Sequence, residues 1–239
     1  MHVETVRISR RFQGPPRSSN GGYACGLTAS RLKGTITVRL KAPPPLETDL
    51  RLESDADKAR LFNGTSLIAE AQRANLDLSV PTAPSYEQAS QAAESFIGFT
   101  QHQFPECFVC GPQRSGFDGL RIFPGPLPEV GVIAAPWVPD QSLADSSGHV
   151  EHVYLWSALD CPSGFALVPL PDGLGIVLGE LCVSVVRDVS PGDALVVAAW
   201  PIGTSGRKRF AGSAIYTADS ALVAKAQATW IEIPLSQWQ

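Results

Sequence analysis

The sequence has no run of eighteen or more apolar residues, about the length a helix needs to cross a bilayer, so no transmembrane helix is expected. The segment from Met1 to Arg11 alternates polar and apolar residues and lacks the apolar core of a signal peptide. Cysteine is sparse and odd in number, five in all; without an export signal this points to a reducing cytoplasm. Charge is also scarce. Charged residues make up 18% and the net charge is −4, so nothing global draws the chain to nucleic acid or an anionic membrane. The one dense basic run, Arg207-Lys208-Arg209, reads first as a solvated loop and second as a contact for a phosphate-bearing ligand. Missing too are a P-loop, a GxGxxG after a strand, a GxSxG elbow and an HExxH. Their absence removes nucleotide-binding, serine-hydrolase and zincin readings.

Apolar residues form 44% of the 239, enough for a sizeable core in one large or two small domains. The two halves of the chain resemble each other. Leu67, Ala69, Ala71 and Gln72 recur as Leu222, Ala224, Ala226 and Gln227, an offset of 155 residues, in segments that alternate faces as half-buried strands do. Residues 34–40 match residues 179–185, and each block runs into a Pro/Gly turn and a further strand near 48–52 and 194–199. Ahead of each block stands one helix candidate. The first is Gly21 to Leu32, with Ser19 or Asn20 as N-cap; the second is Val150 to Leu159, with Ser147 or Gly148 before it and Pro162 beyond its end. Three matching blocks in the same order predict a duplication.

Each unit reads as a strand, one central helix and three or four antiparallel strands. The fold class expected is therefore α+β, a tandem hotdog whose two units pair edge to edge in one continuous sheet. The N-terminal unit with its linker is assigned to 1–100 and the C-terminal unit to 101–239. The link, from Val80 through Pro84 to a weakly helical stretch over 86–99, is polar and proline-rich.

Chemistry has few candidates. Gly21 and Gly22 open the first helix, where free N–H groups and the positive dipole end suit an oxyanion; they also serve simply to start the helix against the sheet. Asp160, at the expected helix C-terminus, sits at the unfavourable end of the dipole, which asks for a function or reads as a polar loop residue. His149 and His152 lie three apart and read as a solvated first turn or as an acid–base pair. Cys107-Phe108-Val109-Cys110-Gly111 is half of a zinc knuckle. No second Cys or His pair follows at a suitable spacing and His102 alone offers a third ligand, so the leading reading is a tight turn with two buried thiols, ahead of metal or redox roles, and no metal or other cofactor is expected.

Asn20-Gly21-Gly22-Tyr23-Ala24-Cys25-Gly26-Leu27-Thr28-Ala29 resembles the first-half helix motif of the medium-chain acyl-CoA thioesterase family of double-hotdog enzymes. Tyr154 to Asp160 resembles the second-half helix of those enzymes, which ends in a catalytic Asp, and Gln227 lies close to a Gln on their last strand. The resemblance implies hydrolysis of an acyl-CoA-type thioester by water held between Asp160 and Gln227. Where that family has a hydroxyl, this sequence has Gly179-Glu180-Leu181, with Glu180 as a substitute carboxylate. Asn20, Gly21, Gly22, Tyr23 and His152 are the substrate-binding or oxyanion candidates, with the Gly22 N–H as oxyanion donor. One working site is expected, because Leu27-Thr28-Ala29 offers Gln72 no Asp partner. The partner implied is an acyl-CoA-like small molecule, with no nucleic acid or membrane; a homo-oligomer of double-hotdog protomers is the assembly considered. The alternatives are a non-catalytic acyl-binding hotdog protein and a hotdog hydratase or dehydratase, which wants an Asp/His pair.

Overall fold

The computed structural model describes residues 1–114 and 118–238. The first half contains β1 (His2–Arg7), α1 (Gly21–Ala29), β2 (Ile36–Leu40), β3 (Asp49–Ser54), β4 (Lys58–Asn63) and β5 (Ser66–Arg73). After α2 (Tyr86–Ala93), the second half contains β6 (Gly125–Leu127), β7 (Val132–Trp137), α3 (His152–Phe165), β8 (Leu174–Val185), β9 (Leu195–Ser205), β10 (Lys208–Thr217) and β11 (Leu222–Pro234). The strands make one sheet in the order β1-β3-β4-β5-β2-β8-β11-β10-β9-β7-β6. Outward from the β2–β8 junction the two halves run β2-β5-β4-β3-β1 and β8-β11-β10-β9-β7. Strands β5 and β11, which carry the repeated sequence, therefore hold equivalent places. This is the tandem hotdog. At the junction Ile36 pairs with Val183 and Arg39 with Glu180, antiparallel.

The strands follow the period of two in the sequence. In β3, Leu50 and Leu52 are buried while Asp49 and Arg51 are exposed; in β4, Ala59 and Leu61 are buried between Lys58 and Arg60. Helix α1 shows no such one-sided pattern, because Gly22, Ala24, Cys25, Gly26, Thr28 and Ala29 are all buried. The sheet covers one side and α3 the other. A Cβ on Gly26 would lie 2.9 Å from Val153 Cα, and one on Gly22 2.6 Å from Trp156 O. Two glycines one turn apart thus let the helices meet backbone to backbone.

Helix α3 departs from expectation at both ends. It starts at His152, with Glu151 as N-cap and no side-chain cap bond; Ser147 belongs instead to a turn on Asp145. It also runs through Pro162 to Phe165. Pro162 brings no N–H to the turn before it. The neighbouring carbonyls find other donors: Ser213 Oγ on β10 gives to Leu159 O at 2.8 Å and Ser163 Oγ to Asp160 O at 2.6 Å. Asp160 therefore lies inside the helix, and the dipole argument drawn from a helix end does not apply to it.

The linker folds back over the second half. A second apolar cluster joins Ala89 on α2 to Ala134, Val196, Ala198, Ala214 and Tyr216. Tyr216 gives its hydroxyl to Pro81 O at 2.9 Å and Lys225 Nζ gives to Leu78 O at 2.8 Å. The basic run forms the β9–β10 hairpin tip and its edge, with Arg209 ion-paired to Glu232. No helix among the described residues is long and apolar enough to cross a membrane.

Candidate active site

Asn20 caps α1. Its side-chain oxygen accepts from Tyr23 N at 2.9 Å, which fixes the amide orientation and turns Nδ2 toward α3. There Nδ2 donates to Asp160 Oδ2 at 2.8 Å, and the Gly22 N–H donates to the same oxygen at 2.8 Å. Asp160 is 2% exposed, and Oδ1 has no hydrogen-bond partner among the described residues. Burial pushes the carboxyl up to about 7; the Gly22 and Asn20 donors pull against it, and the nearby Cys107 adds to the rise.

Asp160 forms part of the wall of a cavity of about 700 Å³ set between the two halves. Leu40 and Pro44 of the first half and Phe165, Ile176, Leu178 and Trp230 of the second supply apolar wall, and Gly21 lines it near the carboxyl. The Gly21 N–H, at the first helical position, has no acceptor among the described residues. Trp230 is anchored by giving its Nε1–H to Ser163 Oγ at 2.9 Å.

Three thiols share this wall. The sulfurs of Cys107, Cys110 and Cys161 lie within 4.8 Å of one another, with Cys107 and Cys161 3.6 Å apart. The Asn20 amide reaches Cys161 Sγ at 3.4 Å. Hydrogen bonds from the other two thiols hold Cys107 well below the usual thiol range; burial first pushes Cys110 up, and the bond given to Cys107 first pushes Cys161 up. The expectation that Cys107 and Cys110 stand without a third sulfur is thus corrected. Cys161 supplies it from α3. His102 is not the third ligand. Its Nε2 bonds Cys110 O at 3.0 Å and its Nδ1 accepts from Phe104 N at 2.9 Å, which leaves a neutral ring with both nitrogens engaged.

Gln227, Glu180, Tyr23 and His152 are not brought to Asp160. On β10 and β11, Ser213 pairs with Ala226, and Ser213 points at α3. Directly opposed residues share a face, so Ala226 and Ala228 face the helix while Gln227 projects from the other side of the sheet. Gln227 pairs with Cys182, and Glu180 lies two residues further along the same face, where it forms an ion pair with Arg39. The sheet separates both from the cavity. The Gly22 N–H, expected as an oxyanion donor, is taken by Asp160. Tyr23 stacks on Phe12 with ring centroids 3.8 Å apart, away from the cavity wall. His152 lies at the opposite end of α3, exposed and paired with Asp188 at 2.9 Å, while His149 precedes the helix and meets Ser147 Oγ at 3.0 Å. The two histidines form no pair.

No protein-family model matches the sequence, and no curated protein matches it. Solved structures do match along almost the whole chain. A tesB protein of Mycobacterium avium subsp. paratuberculosis is 11% identical, covering 97% of this chain and 93% of that one with a TM-score of 0.63. An acyl-CoA thioesterase II from Mycobacterium marinum is 12% identical over 97% and 93%, with a TM-score of 0.60. A hot dog fold protein from Alicyclobacillus acidocaldarius is 11% identical over 97% and 93%, with a TM-score of 0.57. The likeness is one of fold, and it places this chain among double-hotdog architectures.

Proposed function

We propose that the chain is a thioester hydrolase acting on an acyl-CoA-type substrate, with Asp160 as general base. The observation that carries this reading is the Asp160 carboxyl on the wall of an apolar cavity, one oxygen clamped by two donors and the other unpartnered. A carboxylate fixed in this way presents one basic oxygen in a known direction. The acyl chain occupies the apolar part of the cavity. Water attacks the carbonyl carbon and passes a proton to the Asp160 carboxylate. The oxyanion is met by the Gly21 N–H at the start of α1. Collapse breaks the carbon–sulfur bond, and the thiolate leaves with the proton from Asp160 as free thiol, beside the carboxylic acid. The acyl-CoA thioesterase II name of the Mycobacterium marinum protein of the same fold supports the reaction class.

A panel of acyl-CoA substrates assayed for free thiol tests this reading directly. Release that depends on Asp160 is the expected result; no release from any member, from folded protein, overturns it. One observation favours a second reading, a non-catalytic acyl-binding protein: Gln227 and Glu180 lie across the sheet and leave Asp160 without a second polar side chain to hold the water. Saturable acyl-CoA binding without turnover is its signature. A hydratase has less support, because His102 is engaged at both nitrogens and His152 is remote.

A further inference from the structure

We propose that Cys107, Cys110 and Cys161 together bind one zinc ion as thiolates, with the fourth coordination position open to the cavity. The geometry of the trio is that of a single ion. Zinc–sulfur bonds of about 2.3 Å in a tetrahedral site set sulfurs about 3.8 Å apart, and Cys107 and Cys161 are 3.6 Å apart with all three sulfurs within 4.8 Å. A [4Fe–4S] cluster holds each thiolate on a different iron and spreads them more widely.

The Cys107–Cys110 turn is built before any ion arrives. Gly111 N gives to Cys107 O at 2.9 Å and Cys107 N gives to Phe104 O at 2.9 Å. A Cβ on Gly111 would lie 2.5 Å from Cys107 N, so the residue after the second cysteine has to be glycine for the turn to close. Phe108 and Val109, between the cysteines, are fully buried and pinned by Phe108 N to Gln13 O at 2.7 Å and Ile122 N to Val109 O at 2.9 Å. The third thiol comes from the rigid interior of α3. Little is left to order on binding, which favours affinity.

The chemistry of the donors argues the same way. Three thiols and the Asp160 carboxyl converge in a buried place, and none of the four forms an ion pair with Lys, Arg or His among the described residues. Soft thiolates select zinc over magnesium or calcium. Binding releases the thiol protons to solvent and leaves the ion with three sulfur ligands. Because all three cysteines line the cavity, the remaining position faces it, as in zinc sites that keep a place for water or a ligand.

The test reads metal rather than turnover, so it stands whether or not the chain hydrolyses thioesters. The full chain is purified under reductant from zinc-supplemented medium without chelator, and its metal is measured by elemental analysis. One zinc per chain is expected, retained in Cys182→Ser and lost in Cys107→Ser and Cys161→Ser. Cobalt exchanged into the parent should give the intense thiolate-to-cobalt absorption and visible bands of a four-coordinate site. If the cysteine variants fail to fold by circular dichroism, the cobalt spectrum of the parent decides alone. Protein that takes up neither zinc nor cobalt overturns the proposal. So do iron with acid-labile sulfide, a disulfide within the trio under reductant, and zinc that survives in a folded Cys161→Ser variant.

Discussion

Gly22 gives its backbone N–H to Asp160 Oδ2 at 2.8 Å, at the same point where α1 and α3 touch. One glycine thus serves packing and site together. A Cβ there would lie 2.5 Å from Asp160 Cβ and 3.0 Å from Ser157 Cα, atoms that no rotamer change removes. Gly22→Ala should therefore lower stability on the order of 2 kcal/mol through overpacking, despite the better helix propensity of alanine, worth about 1 kcal/mol. Gly203→Ala is the control, since nothing lies within 4 Å of its added Cβ. Urea denaturation of the two variants checks the contrast.

Asp160→Asn keeps an acceptor for Gly22 and Asn20 but removes the base. Thiol release should fall about 10²-fold or more with the unfolding midpoint little changed. Gln227→Ala, on the far face of the sheet, should leave turnover unchanged. Steady-state kinetics on any acyl-CoA that the parent hydrolyses separates the two outcomes. Equal losses in both variants would mean that Gln227 does reach the reacting water.

Asn20→Ala removes an N-cap and one of the two donors that clamp Asp160. The cap alone is worth about 1 kcal/mol. Activity should fall as well, because the carboxyl is then held by Gly22 only. Asn20→Ser restores a capping oxygen without reaching Asp160, and should recover stability while leaving activity low. Thermal unfolding alongside kinetics tells the two effects apart.

Ser163 accepts from Trp230 Nε1 at 2.9 Å and gives to Asp160 O at 2.6 Å. In Ser163→Ala the buried indole N–H loses its acceptor, at a cost of about 1–3 kcal/mol. Tryptophan fluorescence, followed through denaturation, measures the loss of stability.

The duplication was legible because it is written in residues that face the core. Leu67–Gln72 and Leu222–Gln227 repeat small apolar residues on a period of two, and β5 and β11 occupy matching places. The extent of α3 was not legible. Pro162 marks a stop by local rules, whereas the contacts that hold the helix through it come from β10, where Ser213 Oγ gives to Leu159 O. The face of Gln227 was legible and was missed: Ala224, Ala226 and Ala228 alternate with Lys225, Gln227 and Thr229, and the alanines are the ones that fit beneath a helix. Cys161 needed the fold, since local spacing around Cys107 and Cys110 holds no trace of a thiol arriving on another element.

The β2–β8 junction joins both copies, already one chain, into one sheet. In an assembly of identical single units, every substitution appears twice and must suit both sides of the twofold. Here each copy answers only for itself. One helix carries Asp160 and Cys161 at the cavity, while its counterpart carries Thr28, whose hydroxyl is spent on Ala24 O at 2.8 Å, and glycines that let the neighbour approach. With both copies in one chain, one helix can serve as a scaffold while the other carries the site.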